Sequence, residues 1–233
     1  EERKTPSERV TREMLKDVLL GTSNENNLIV ITTFSSHIER LKSIIDFGKK
    51  LDRNILFLGR SLMKYVKAAE NINLVNYSKE VEIYGYRNEV KKALRDLRSR
   101  DETLIVCTGN QAEPGSVLNR MVNKELPFKF MPEDHVIFSS RTIPVPVNIA
   151  NRSLMEEKLK KYKTRIFTNI HNSGHCGRED LRDLINMLRP KHIIPAHGDL
   201  PKLNALVELG TEIGYIRNKT VHIVQDSMFL DVK

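Results

Sequence analysis

Two histidines at the ends of successive apolar runs are the sharpest chemical feature of this sequence. His175 closes His171-Asn172-Ser173-Gly174-His175, and His197 lies in Pro195-Ala196-His197-Gly198-Asp199, just past the run His192–Pro195. An imidazole at a strand end can ligate a transition metal or move a proton near neutral pH. One such histidine alone reads more simply as a hydrogen-bonded loop residue. Two of them, each beside a glycine, favour function. His171 reads as a support for its loop or as a residue placed behind the ligands, and not as a ligand. Cys176 offers a further zinc donor, against the reading that its side chain points away from His175. Other polar clusters follow other apolar runs: Thr33-Phe34-Ser35-Ser36, Thr108-Gly109-Asn110-Gln111 and Ser139-Ser140-Arg141. Small hydroxyl residues and glycine let backbone N–H groups approach an anion. The chemistry expected is a phosphate-binding cleft lined with histidines.

The elements that must position these residues alternate along the chain. Asn27–Ile31, Asn54–Leu58, Leu104–Cys107, His135–Ser139, Arg165–Thr168 and His192–Pro195 read as buried strands. Helical spacing follows in Ile38, Leu41, Ile44 and Ile45, in Leu62, Tyr65, Val66 and Ala69, and in Val117, Leu118 and Met121. A charged helix is expected around Asn148–Lys161, and another through Leu181, Leu184, Ile185 and Leu188, stopped by Pro190. Asn73–Tyr86 reads as a connection with an irregular strand. Val221–Gln225 and Phe229–Val232 read as a terminal hairpin. Such alternation predicts an α/β architecture with a largely parallel sheet. Ligands of such sheets bind at the carboxyl ends of the strands, where the polar clusters fall.

The chain has 233 residues, 39% of them hydrophobic and 29% charged, enough for one large core or two modest ones. No apolar run is long enough to span a bilayer. The start, Glu1-Glu2-Arg3-Lys4, has no apolar stretch behind it and no initiator Met, so no secretory signal is expected and the chain reads as a fragment. The net charge of +8 is compatible with a polyanionic partner and equally with a solvated Lys/Glu-rich surface. Cys107 and Cys176 alone make no disulfide framework, which places the protein in a reducing cytoplasm.

Six segments carry a family resemblance, in the family's order. Thr5-Pro6-Ser7-Glu8 looks like the acidic motif A of the β-CASP branch of the metallo-β-lactamase superfamily. Ile31–Leu41 is similar to its T-F-x-S segment. Cys107–Pro114 resembles its T-G-S-Q-G-E-P loop, with Asn110 for Ser and Ala112 for Gly. Phe138–Pro144 looks like its S-S-R-x-I-P segment, His171–His175 like motif B and Pro195–Asp199 like motif C. The sequence resembles ribonuclease J-like members in particular. The H-x-H-x-D-H zinc motif and the other upstream ligands are absent.

The resemblance implies a parallel-sheet β-CASP domain over residues 10–164. Residues 1–9 would be the trailing end of the first metallo-β-lactamase half. Residues 165–233 would be the C-terminal part of its αββα fold, with an exposed apolar face. It implies a metal-dependent ribonuclease acting on single-stranded RNA in RNA processing and decay. That enzyme would be a 5′-to-3′ exonuclease, some relatives also cutting internally, with a preference for 5′-monophosphate ends. Two divalent ions, zinc or alternatively manganese, would sit in a complete homodimeric enzyme, and this chain alone would be metal-free and inactive. His197 would be a metal ligand. His175 would be the general acid, hydrogen-bonded by Glu8. Ser36, Ser173, Gly174 and His175 would contact RNA phosphates. The plainer readings are that Glu8 is a favourable acid in a helix's first turn and that Ser36 is an N-cap. Gln111, Glu113 and Arg141 either orient RNA or shape loops. The basic face Lys91–Arg100 is a solvated surface or an RNA rim. Two alternatives stand beside this reading: a non-catalytic RNA- or phosphate-binding module, and an endonuclease of the cleavage-and-polyadenylation type.

Overall fold

The computed structural model describes residues 4–97 and 99–232. The chain forms two compact units: Ser7–Asn172, and a smaller one in which residues 4–6 join the segment from Ser173 onward.

The larger unit is built on a six-stranded, all-parallel sheet. Its strands are β1 (Ile29–Thr32), β2 (Asn54–Leu58), β3 (Glu82–Tyr84), β4 (Thr103–Cys107), β5 (His135–Phe138) and β6 (Arg165–Phe167), in the order β3-β2-β4-β1-β5-β6. β1 lies between β4 and β5, with Ile29 opposite both Leu104 and His135. Every residue of β1, β4 and β5 is buried, as expected of strands covered on both faces. Alternate side chains go to opposite cores. Ile29, Ile31, Phe57 and Val106 pack with α1 (Glu8–Leu20), α2 (Ile38–Lys50) and α3 (Arg60–Asn71). Val30, Leu58, Ile105 and Phe138 pack with α4 (Arg87–Arg95), α5 (Val117–Val122) and α6 (Pro146–Lys161). Each fully buried Leu, Ile or Phe contributes about 1.5–3 kcal/mol, so the two cores hold the sheet from both sides.

Asn73–Tyr86 resolves into a 3₁₀ turn, Tyr77–Lys79, and the edge strand β3. β6 is shorter than its apolar run and pairs with β5, Ile166 opposite Val136. It therefore belongs to the sheet of the larger unit.

In the smaller unit, α7 (Arg178–Leu188) and α8 (Leu200–Ile213) share a core of Ile185, Ile193, Val207, Leu209 and Val221. The strand expected over His192–Pro195 shrinks to a bridge between Ile193 and Val221. The expected terminal hairpin does not form: among the described residues, 222–232 contain no strand and Phe229 is fully exposed. A strand requires a neighbour for its N–H and C=O groups, and among the described residues only the short stretch at Val221 supplies one. Met187, Leu188, Ile194 and Ile216 are also exposed.

One buried group makes the fold sensitive to acid. His135, on the central strand β5, is fully buried, lies edge-on to Phe167 at 5.1 Å and has no hydrogen-bond partner on either ring nitrogen. Burial, then the charges of Arg165 and Arg53, lowers its pKa to about 4. The unfolded chain takes up this proton near pH 6.5, so the neutral ring's contribution is complete above that pH and disappears as pH falls toward 4. The expected loss is about 3 kcal/mol across that window. His171, also lowered to about 4, adds to the slope. Urea midpoints at several pH values should show a shallower acid slope for His135→Leu than for the parent. Identical slopes would remove His135 from the account.

Candidate active site

The loops after β1, β5 and β6 meet around Arg40, a fully buried guanidinium on α2. Its Nε and Nη2 grip the Glu8 carboxylate, with Nη2 to Oε2 at 2.7 Å. Its Nη1 donates to the Ser139 carbonyl at 2.9 Å and to Ser139 Oγ at 2.8 Å. Ser139 Oγ donates in turn to the Ile170 carbonyl at 2.9 Å. Thr33 Oγ1 adds a bond to the Ser139 carbonyl at 2.9 Å. One cation thus ties α1, α2 and the polar loops together. A charge buried this deeply is tolerated because every direction of its fork is paired.

Two histidines border this network. His37 Nε2 lies 3.7 Å from Glu8 Oε2. Burial and then the Arg40 charge lower the His37 pKa. His171 lies 6.5 Å from the Phe34 ring and is lowered by burial, then by Arg40 and His37. Burial thus disfavours the protonated form of both imidazoles. Ser36 is exposed, and no side chain caps α2, so Ser36 is not an N-cap. Gln111 shapes its loop: its Nε2 donates to the Arg141 carbonyl at 2.9 Å, and its Oε1 accepts from Ile143 N at 2.7 Å. Ala112, at the family's glycine position, has φ 57° and is 1% exposed. Its Cβ is carried in a left-handed conformation that costs about 1–2 kcal/mol.

The smaller unit holds the paired histidines. The rings of His175 and His197 stack with centroids 5.7 Å apart and planes at 22°. The Ser-Gly-His turn is closed by His175 N–H donating to Ser173 Oγ at 3.1 Å. Thr5 Oγ1 donates to the His175 carbonyl at 2.8 Å. Below the turn, Asp180 Oδ2 accepts from Thr5 N at 2.8 Å and from Gly177 N at 2.9 Å, and these bonds lower its pKa. A Cβ at Gly174 would meet nothing within 4 Å, so its backbone is open to an approaching anion. His197 has φ 62°, a strained value for histidine, and Asp199 caps α8 by accepting from Lys202 N at 3.3 Å.

Ser173, Gly174, His175 and His197 are therefore brought together. Glu8 and Ser36 belong to the larger unit, where Glu8 is engaged by Arg40. Arg40 was not legible as a site residue, since a charged residue on an amphipathic helix reads as solvent-facing. The pair His192 Nδ1···His222 Nε2, 3.0 Å apart, was also missed. Cys107 is buried and Cys176 exposed, both as free thiols.

Two imidazoles fall short of the roughly three protein ligands that a catalytic ion needs. Among the described residues, no group of three or more His, Cys, Asp or Glu side chains could hold one. The described residues do not make a metal site by themselves.

The class of this all-parallel, six-stranded sheet is given by its match to β-CASP domains. The family model "Ribonuclease J, beta-CASP domain" matches residues 26–156, and "Zn-dependent metallo-hydrolase RNA specificity domain" matches residues 161–224. The chain belongs to the ribonuclease J β-CASP family. It is similar to the ribonuclease J of Methanocaldococcus jannaschii, 40% identical over 231 residues, which are 98% of this chain and 52% of that protein. The ribonuclease J of Pyrococcus abyssi is 40% identical over 233 residues, 100% of this chain and 51% of that protein. The Sinorhizobium meliloti ribonuclease J is 29% identical over 221 residues, 90% of this chain and 36% of that protein. The chain spans about half the length of the first two relatives.

Proposed function

We propose that this chain carries the RNA-holding and proton-donating parts of a metal-dependent ribonuclease of RNA processing and decay. The observation that carries the reading is the exposed His175 in its Ser-Gly turn, stacked on His197, in a chain of this family. Hydrolysis of a phosphodiester needs a proton on the leaving oxygen, and a positioned imidazole is the side chain that most often supplies one. His175 is assigned that role, with Glu8 as its acidic partner in general-acid work. Ser173, Gly174 and Ser36 are assigned to RNA phosphates through hydroxyl and backbone donors. His197 is assigned as one donor to a pair of divalent ions, zinc or manganese, whose other ligands are not among the described residues. Residues 1–9 and 165–233 are assigned to the metallo-β-lactamase fold and residues 10–164 to the β-CASP domain. The substrate is single-stranded RNA with a 5′-monophosphate, degraded 5′ to 3′ with internal cleavage as a second mode, by a homodimer in the cytoplasm. No helix among the described residues is long and apolar enough to cross a membrane.

A second reading, an RNA-binding module without catalysis, is favoured for the isolated chain by the lack of a three-ligand group among the described residues. The purified 233-residue chain is expected to bind 5′-monophosphorylated single-stranded RNA without cutting it. A full-length protein carrying this chain is expected to release mononucleotides from the 5′ end and to stop when metal is chelated. Chelator-sensitive cleavage by the chain alone would contradict the module reading, and internal cuts alone would contradict the exonuclease.

A further inference from the structure

The larger unit has a crevice of about 680 Å³ at the carboxyl edge of its sheet. Its walls come from the loops after β2, β3 and β4. β2 and β4 are neighbours, yet the helices that follow them, α3 and α5, leave to opposite faces. Divergence of that kind opens a crevice that can hold a ligand.

The groups turned on this space are donors. Arg60 and Arg87 line it, and neither has an ion-pair or hydrogen-bond partner among the described residues. Arg120 reaches Glu125 at 3.8 Å through Nε, while its Nη2 is buried without a partner. α3, of 12 residues, presents its N-terminus here with no side chain capping it. Asn110 is 5% exposed and lines the same space, and its Nδ2 has no hydrogen-bond partner. A buried amide donor left open in this way points to an acceptor that arrives from outside.

The floor is bare because two glycines keep it so. Gly59 and Gly109 have φ 133° and 122°, and a Cβ on them would strike Thr108 Cγ2 or Ser116 Oγ at 2.7 Å. Two acids line the crevice, and both are engaged: Glu125 by Arg120, and Glu113 Oε2 by the Gln111 N–H at 3.2 Å. Unpaired guanidiniums, an uncapped helix start and an open amide together select an acceptor-rich anion. The volume suits a nucleotide.

We propose that this crevice binds a nucleotide phosphate, held by Arg60, Arg87, the start of α3 and Asn110. The inference rests on the RNA reading above for the source of that phosphate. Nothing in it uses the Ser-Gly-His turn.

The test titrates the 233-residue chain with 5′-UMP and with a short 5′-hydroxyl oligouridylate, whose phosphates are all internal. Calorimetry gives affinity, and NMR follows the Asn110 side-chain amide and the Arg60 and Ser61 N–H signals. The double variant Arg60→Gln/Arg87→Gln, exposed and unpaired, is expected to bind at least tenfold more weakly at an unchanged melting temperature. Asn110→Asp should do the same while removing the amide signal that shifts. Weakened binding of the oligouridylate assigns the site to internal phosphates of a chain. Weakened binding of 5′-UMP, with no binding of the oligouridylate, supports the crevice as a site for a free or terminal nucleotide and counts against the RNA reading. Oligouridylate bound equally by parent and double variant overturns the crevice and leaves the RNA reading standing. Failure of both probes to bind also overturns the crevice.

Discussion

Arg40→Met is expected to destabilise the larger unit by about 3 kcal/mol, the low end of what removing one partner of a buried ion pair costs, because the Glu8 carboxylate left behind is only half-buried. Arg40 is fully buried, and its departure leaves the Glu8 carboxylate without its cation and leaves the Ser139 and Ile170 carbonyls with only their hydroxyl donors, Thr33 and Ser139. Methionine fills much of the volume but supplies no donor. Arg40→Lys should recover little, because one ammonium cannot span the Glu8 fork and the Ser139 carbonyl together. Glu8→Gln is expected to cost less, since an amide oxygen still accepts from the guanidinium. Urea unfolding of the three variants, followed by signals from the larger unit, checks the order. A loss under about 1 kcal/mol for Arg40→Met would show that the network is dispensable, since a single ordinary hydrogen bond is worth that much.

In a full-length protein carrying this chain, His175→Ala is expected to slow RNA cleavage by about 10²–10⁴-fold, the range of a lost general acid. Bound metal should not change, because His175 is assigned to the leaving oxygen. His197→Ala is the contrasting variant, and its metal content should fall. The chemistry gives a further readout. A nitrophenyl phosphodiester has a leaving group that needs no proton, so His175→Ala should slow it far less than RNA. Single-turnover rates on both substrates, with metal analysis beside them, test the assignment. Equal metal loss in the two variants, or equal slowing on both substrates, would remove His175 from the acid role.

How far the sequence exposed this architecture depends on where each element finds its partner. β1, β2, β4 and β5 were legible as apolar runs because both faces of the sheet are covered. β3 was blurred because an edge strand such as Glu82-Ile83-Tyr84 has one neighbour and mixed polarity. His192–Pro195 is equally apolar, yet among the described residues its backbone forms a β-bridge only with Val221, so hydrophobicity misled. α8 went unread although Asp199 caps it, Pro201 lies in its first turn and Gly214 ends it at φ 110°. His175 and His197 stood out because loops after apolar runs carry them beside glycines. The Arg40 network was hidden because its partners Glu8, Ser139 and Ile170 come from distant parts of the chain, and spacing along a helix says nothing of them.

The central place of β1 also sets an order of assembly. Ile29–Thr32 is the first strand of this sheet along the chain, yet its neighbours are β4 and β5, and β2, the next strand in sequence, does not touch it. During synthesis the segment stays an apolar strand with two open edges until Cys107 and then Phe138 have left the ribosome. Sheets of such long-range pairing fold slowly, and their waiting strands are where aggregation begins. The pairing that buries β1 most completely in the finished protein is thus the one that leaves it exposed longest in the nascent chain.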